Sequence, residues 1–97
     1  MAFQRYVDFM VNVTKWYGKP DIEFFCGVGP ITVNYLNATA AAVKQAVALG
    51  IKAQLVDQEA CAVGGGGCEG CATHPGVAGH KKMYEMAYPA IKKTMGW

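Results

Sequence analysis

The sequence predicts a small α/β protein: a parallel β-α-β core with flanking N- and C-terminal helices and a long loop rich in glycine and cysteine. Three observations carry this reading. Two short apolar runs, Asp21–Cys26 and Ile51–Val56, are separated by one helix-length alanine-rich segment, which is the spacing a parallel crossover needs. Apolar residues at spacings of three and four mark a helix on either side of that unit. The second run is followed by a stretch, roughly residues 58–79, that holds three of the four cysteines and four consecutive glycines. Residues 1–97 are expected to form a single α/β domain, near the size at which one hydrophobic core is only just sufficient.

In chain order, Phe3, Tyr6, Val7, Met10, Val11, Thr14 and Tyr17 trace one face of an amphipathic helix that ends at Gly18. Lys19-Pro20 breaks it. Asp21–Cys26 then reads as a strand that delivers Cys26 to its C-terminal end, and Gly27-Val28-Gly29-Pro30 turns the chain. Ile31 to Leu36 fits neither period. From Asn37 to Gly50 an alanine-rich helix is expected, with Asn37 as its N-cap and Gly50 just past its last turn. Ile51–Val56 is the second strand, and its crossover is expected to be right-handed. Met83, Ala87, Ile91 and Met95 mark one face of the last helix, with Pro89 as a kink or a first-turn residue and Lys81, Lys82, Lys92 and Lys93 on the polar side.

Composition excludes several classes. A net charge of +2, with only the doublets Lys81-Lys82 and Lys92-Lys93, is no phosphate-tracking stripe, so nucleic acid is not an expected partner. Phe24 to Val43 carries no formal charge over a length that could span a bilayer, but Gly27, Gly29, Pro30, Asn34 and Asn37 interrupt it; a strand, a loop and a buried helix are expected there instead of a membrane span. Met1–Arg5 runs straight into the amphipathic pattern, not into a signal-peptide core, which predicts a cytoplasmic location and reduced thiols. At 53% hydrophobic and 16% charged, against about 25% charged for an average soluble domain, the chain is expected to be a homo-oligomer or a subunit of a protein complex. No paired carboxylates at useful spacing, no serine-centred elbow and no phosphate-binding loop appear; Gly27-x-Gly29 lacks the third glycine of a dinucleotide fingerprint.

The chemistry therefore rests on sulfur. Cys26 is expected just past the end of one parallel strand and Cys61 a few residues past the end of the other, on the edge where open α/β folds bind ligands. Cys68-Glu-Gly-Cys71 adds a CxxC pair, and Gly64 to Gly67 allow close backbone approach. One reading is thiol redox or sulfur transfer, with Cys61, Cys68, Cys71 and Cys26 as candidate reactive cysteines, because the thiolate is the nucleophile and a helix N-terminus lowers its pKa. Thr73-His74-Pro75-Gly76 opposes a helix directly after Cys71 and so weighs against a thioredoxin-type pair. The alternative is a zinc or iron-sulfur subunit of a larger redox complex, with Cys26, Cys61, Cys68 and Cys71 as ligands and His74 as a substitute. A third is an interaction subunit whose cysteines only pack, Cys26 above all, since cysteine in an apolar strand often acts as a small buried hydrophobe.

The order of helix, strand ending in Phe25-Cys26-Gly27-Val28-Gly29, alanine-rich helix, Leu49-Gly50-Ile51-Lys52 and then Ala60-Cys61-Ala62 before a glycine-rich turn resembles the DsrE/F-like sulfur-relay family. The resemblance implies a flavodoxin-like α/β fold, oligomeric assembly and, as in some members, a persulfide on the cysteine that follows a strand, here Cys61. The family's fold opens with a strand before the first helix, whereas this chain starts at that helix, so the strand is absent or comes from another subunit. Cys68, Cys71 and the tetraglycine lie outside what the family requires.

Overall fold

The computed structural model describes residues 2–29, 35–58 and 74–97. The elements follow the order α1 (Ala2–Tyr17), β1 (Glu23–Val28), α2 (Leu36–Ala48), β2 (Lys52–Asp57) and α3 (Val77–Met95). β1 and β2 pair in a two-stranded parallel sheet, so the chain has the expected small α/β fold with flanking helices. Two compact units result, one drawn from Met1–Cys26 and Tyr35–Leu55, the other from Gly27–Asn34 and Val56–Trp97.

In the first unit, Val7 and Met10 of α1 are fully buried, and Tyr6, Val11 and Thr14 on the same side are partly buried. This is the expected face. Tyr17, expected on it, lies exposed with Trp16 and Phe9. α1 packs against α2, whose buried residues Thr39, Ala42 and Ala46 are small enough to let two helices approach closely. The core joins Met10, Cys26, Ala46 and Ile51, with Tyr6, Val11, Phe24, Val43 and Ala53 packed around them.

Both helices of this unit end by one device. Gly18 at φ 61° and Gly50 at φ 86° take the left-handed conformation that closes a helix. The next residue then donates its N–H five positions back, Lys19 to the Thr14 carbonyl at 3.1 Å and Ile51 to the Ala46 carbonyl at 3.0 Å. The start of α2 differs from expectation. Tyr35 is its N-cap and makes no side-chain capping bond; the Thr39 N–H already bonds the Tyr35 carbonyl at 2.9 Å, which places Asn37 inside the first turn. Starting two residues early takes Leu36 into the helix, where it is half-buried, while Asn37 stays in water.

β1 also runs later than expected, over Glu23–Val28, with Cys26 and Val28 buried and Gly27 between them exposed. Cys26 is therefore inside the strand, not past its end. The cause is period two: Phe24, Cys26 and Val28 are all apolar, and ending the strand at Cys26 would leave Val28 outside the ladder.

In the second unit, the Gln58 N–H bonds the Val28 carbonyl at 2.8 Å. α3 starts at Val77, inside the segment expected to be loop, with Gly76 as N-cap and the His80 N–H on the Gly76 carbonyl at 2.9 Å. Gly76 and Gly79 read as breakers in sequence, but Gly79 is buried, and packing there overrides its low helix propensity. The helix continues through Pro89. Met83, Met86, Ala87, Ala90 and Ile91 are half-buried, the four lysines are exposed as expected, and Met95 is exposed instead of joining the inner face. Among the described residues no helix is long and apolar enough to cross a membrane.

Candidate functional site

Of the predicted site residues, Cys61, Cys68 and Cys71 lie outside the described residues, and with them most of the glycine- and cysteine-rich stretch. Cys26 and His74 are described. His74 is exposed, two residues before the N-cap of α3.

Cys26 has a different environment. It is a free thiol with 2% of its surface exposed, and it sits against Met10, which is fully buried. Its Sγ approaches the Met10 Sδ at 3.9 Å, a weak S–H contact to a thioether. Tyr6 completes the group. Its phenol is pushed up to about 12, first by burial, then by a hydrogen bond with Cys26 that favours the protonated phenol, and last by the repulsion a Cys26 thiolate would exert on a phenolate. Met10 and Cys26, both buried, and the partly buried Tyr6 thus form a small cluster joining α1 to β1.

Such an assembly suits packing better than chemistry. A metal ligand or sulfur carrier must meet its ion or its donor, and a thiol enclosed by Met10, Ala46 and Ile51 is screened from both. Among the described residues no group of three or more His, Cys, Asp or Glu side chains could hold a metal ion.

Two residues matter that sequence reasoning passed over. Tyr6 was legible only as one member of the apolar face of α1; its electrostatic interaction with Cys26 joins residues twenty positions apart, and no local signal marks it. Gln58 stands where β2 gives way to the cysteine-bearing stretch. Its backbone N–H holds Val28, and its side-chain Nε2 donates to the Met83 carbonyl of α3 at 3.0 Å. That double anchor fixes the chain three residues before Cys61. The polar pair Asp57-Gln58 after the expected strand Ile51–Val56 is the hint the sequence offers of it.

Comparison with protein-family models, with curated proteins and with solved structures finds no match.

Proposed function

We propose that the protein is a cysteine-based sulfur-relay or thiol redox carrier of a reducing, cytoplasmic compartment, with Cys61 as the relay residue and the Cys68/Cys71 pair as its exchange partners. The observation that carries this reading is the burial of Cys26 at 2% exposure. A four-thiolate zinc or iron-sulfur site needs all four cysteines, whereas a relay needs only those of the loop. Cys26 packs against Met10 and Tyr6, which favours the loop cysteines as the exchanging thiols and leaves Cys26 a core residue in this reading; the metal alternative uses Cys26, Cys61, Cys68 and Cys71, with His74 as a substitute.

In the relay, the Cys61 thiolate attacks the outer sulfur of a donor persulfide. The new S–S bond forms as the donor's breaks, the donor leaves as a thiolate, and no net oxidation occurs. Cys68 or Cys71 can repeat the step on Cys61 and pass the sulfur on. The anchored Gln58 on one side and the helix start at Val77 on the other bound the segment in which these exchanges take place. The resemblance to the DsrE/F-like family supports the same reading, as does the parallel β-α-β core. Assembly with copies of itself or with a partner that extends the sheet belongs to the proposal, because the two strands found among the described residues are marginal by themselves.

The test is an anaerobic preparation examined by ultraviolet-visible absorption, elemental analysis and thiol alkylation. A colourless, metal-free protein whose Cys61 is rapidly alkylated and accepts sulfane sulfur supports the relay. A stoichiometric metal with Cys61, Cys68 and Cys71 protected refutes it.

A further inference from the structure

α1 carries large side chains on the face turned away from its core. Val7 and Met10 are fully buried, and on the opposite side of the helix Arg5, Phe9, Asn12 and Trp16 are all exposed, Phe9 at 55% and Trp16 at 72%. At about 100° per residue these four fall within about 60° of one another, and the middle of their sector lies about 160° from the middle of Val7 and Met10. The two flanks of this sector differ. On one, about 70–90° from its middle, Asp8 and Lys15 are exposed. On the other, about 70–110° from its middle, stand the half-buried Val13 and the 71%-exposed Tyr17. Asp8 accepts a hydrogen bond from the Gln4 amide at 3.1 Å, and Arg5, Asp8 and Lys15 have no ion-pair partner among the described residues.

This pattern is complementary to itself. When two such helices are set antiparallel about a twofold axis that crosses them near Val11, each flank meets the same flank of the other copy. Arg5 then faces the second copy's Trp16, Phe9 its Asn12 and Asp8 its Lys15, and each contact occurs twice. Arg5–Trp16 and Phe9–Asn12 share a midpoint, and the midpoint of Asp8–Lys15 lies one residue further on, about 1.5 Å along the axis. One register therefore makes all three contacts. In a parallel pair the twofold axis runs along the helices, opposite flanks meet, and the charges of Asp8 and Lys15 fall on Val13 and Tyr17.

We propose that this face of α1 docks antiparallel onto the same face of a second copy of the chain, with Phe9 and Trp16 at the centre, Arg5 over the second copy's indole and Asp8 paired with Lys15 at the rim. Charge complementarity selects this occupant, because an acid and a base on one flank of the helix meet their counter-ions when an identical helix is reversed. Residue type agrees with it. Interface centres enrich tryptophan, phenylalanine, tyrosine and arginine, and tryptophan is the ring that best holds a cation over its face. Charges flanking an apolar seam are what set the relative direction of paired helices. The exposed parts of Phe9, Trp16 and Tyr17 amount to roughly 400 Å² per copy. With the neighbouring polar side chains, two copies clear the total of about 1,000 Å² that a specific interface needs. Neither the sheet edges nor the cysteines take part, so this contact stands or falls apart from the sulfur chemistry.

Sedimentation equilibrium of the full chain in reducing buffer, from about 1 μM to about 1 mM, tests the proposal, and a monomer–dimer equilibrium is expected within that range. Trp16→Ala should raise the dimer dissociation constant by about thirtyfold or more. Asp8→Lys and Lys15→Asp should each raise it by roughly tenfold, because each sets like charges opposite one another twice. An equimolar mixture of these two variants should recover the association of the wild type, since one copy then carries two bases on the flank and the other two acids. Tyr84→Ser, on α3, should leave association unchanged, and circular dichroism should report the same fold throughout; if Trp16→Ala unfolds, the mixture decides. No self-association over the range, a dimer that the α1 variants leave intact, a mixture no tighter than its single components, or dissociation by Tyr84→Ser would each overturn the proposal.

Discussion

Replacing Cys26 separates a packing role from a chemical one. The residue is 2% exposed and its sulfur approaches the Met10 sulfur, with Ala46 and Ile51 in the same core. Cys26→Ala removes one methylene-sized buried group and leaves a small cavity, a cost of about 1–1.5 kcal/mol. For a domain of this size that lowers the melting temperature by about 4–12 °C. Cys26→Ser keeps the volume but places a hydroxyl among apolar neighbours, which costs about 1–3 kcal/mol, with the low end expected because Tyr6 is at hand as a partner. Denaturant titration followed by circular dichroism gives both values. In the native protein, Cys26 should react with an alkylating agent only as fast as the core opens, and Cys26→Ala should leave sulfane-sulfur loading of the other cysteines intact. Rapid native alkylation of Cys26, or loss of loading at an unchanged melting temperature, would refute the assignment of Cys26 to the core.

Tyr6→Phe should change the alkaline limb of stability. The phenol is raised in the folded state to about 12 from an ordinary value of 10.0, so its contribution is complete below pH 10 and is lost as pH rises toward 12; parallel urea titrations across that window should show the wild type losing stability faster than the variant. Gly50→Ala meets no atom within 4 Å of the added methyl, so its cost is backbone strain alone, about 1–2 kcal/mol, read from the denaturation midpoint. Gln58→Ala leaves the Met83 carbonyl without its side-chain donor, at a cost of about 1 kcal/mol, and hydrogen exchange should rise first at the start of α3 and not in α1.

The helices were legible because their signals are local. The face built on Tyr6, Val7, Met10 and Val11 repeats at helical spacing, and Gly18 and Gly50 stand where a left-handed residue closes a helix. Boundaries were less legible where two local signals competed. Asn37 is a good N-cap by type, yet half-burying Leu36 outweighed it; Gly76 and Gly79 suggested loop, yet the burial of Gly79 let α3 begin at Val77. In the candidate site, the position of Cys26 was misjudged by a strand shift of two residues. A shift of two preserves the alternation of faces, so the pattern alone could not place the strand end.

By itself the sequence determined the element order, the parallel β-α-β class and the concentration of cysteine and glycine after β2, because periodicity, helix-closing glycines and spacing are properties of neighbouring residues. Only the tertiary structure decided that Cys26 belongs to a core with Met10 and Tyr6, that Gln58 is tied to Val28 and Met83, and that Tyr84, Tyr88 and Met95 face outward. Each of these depends on which distant segment covers a side chain. Burial is a property of the packed whole, and a residue's type sets only how much it gains or loses by being there.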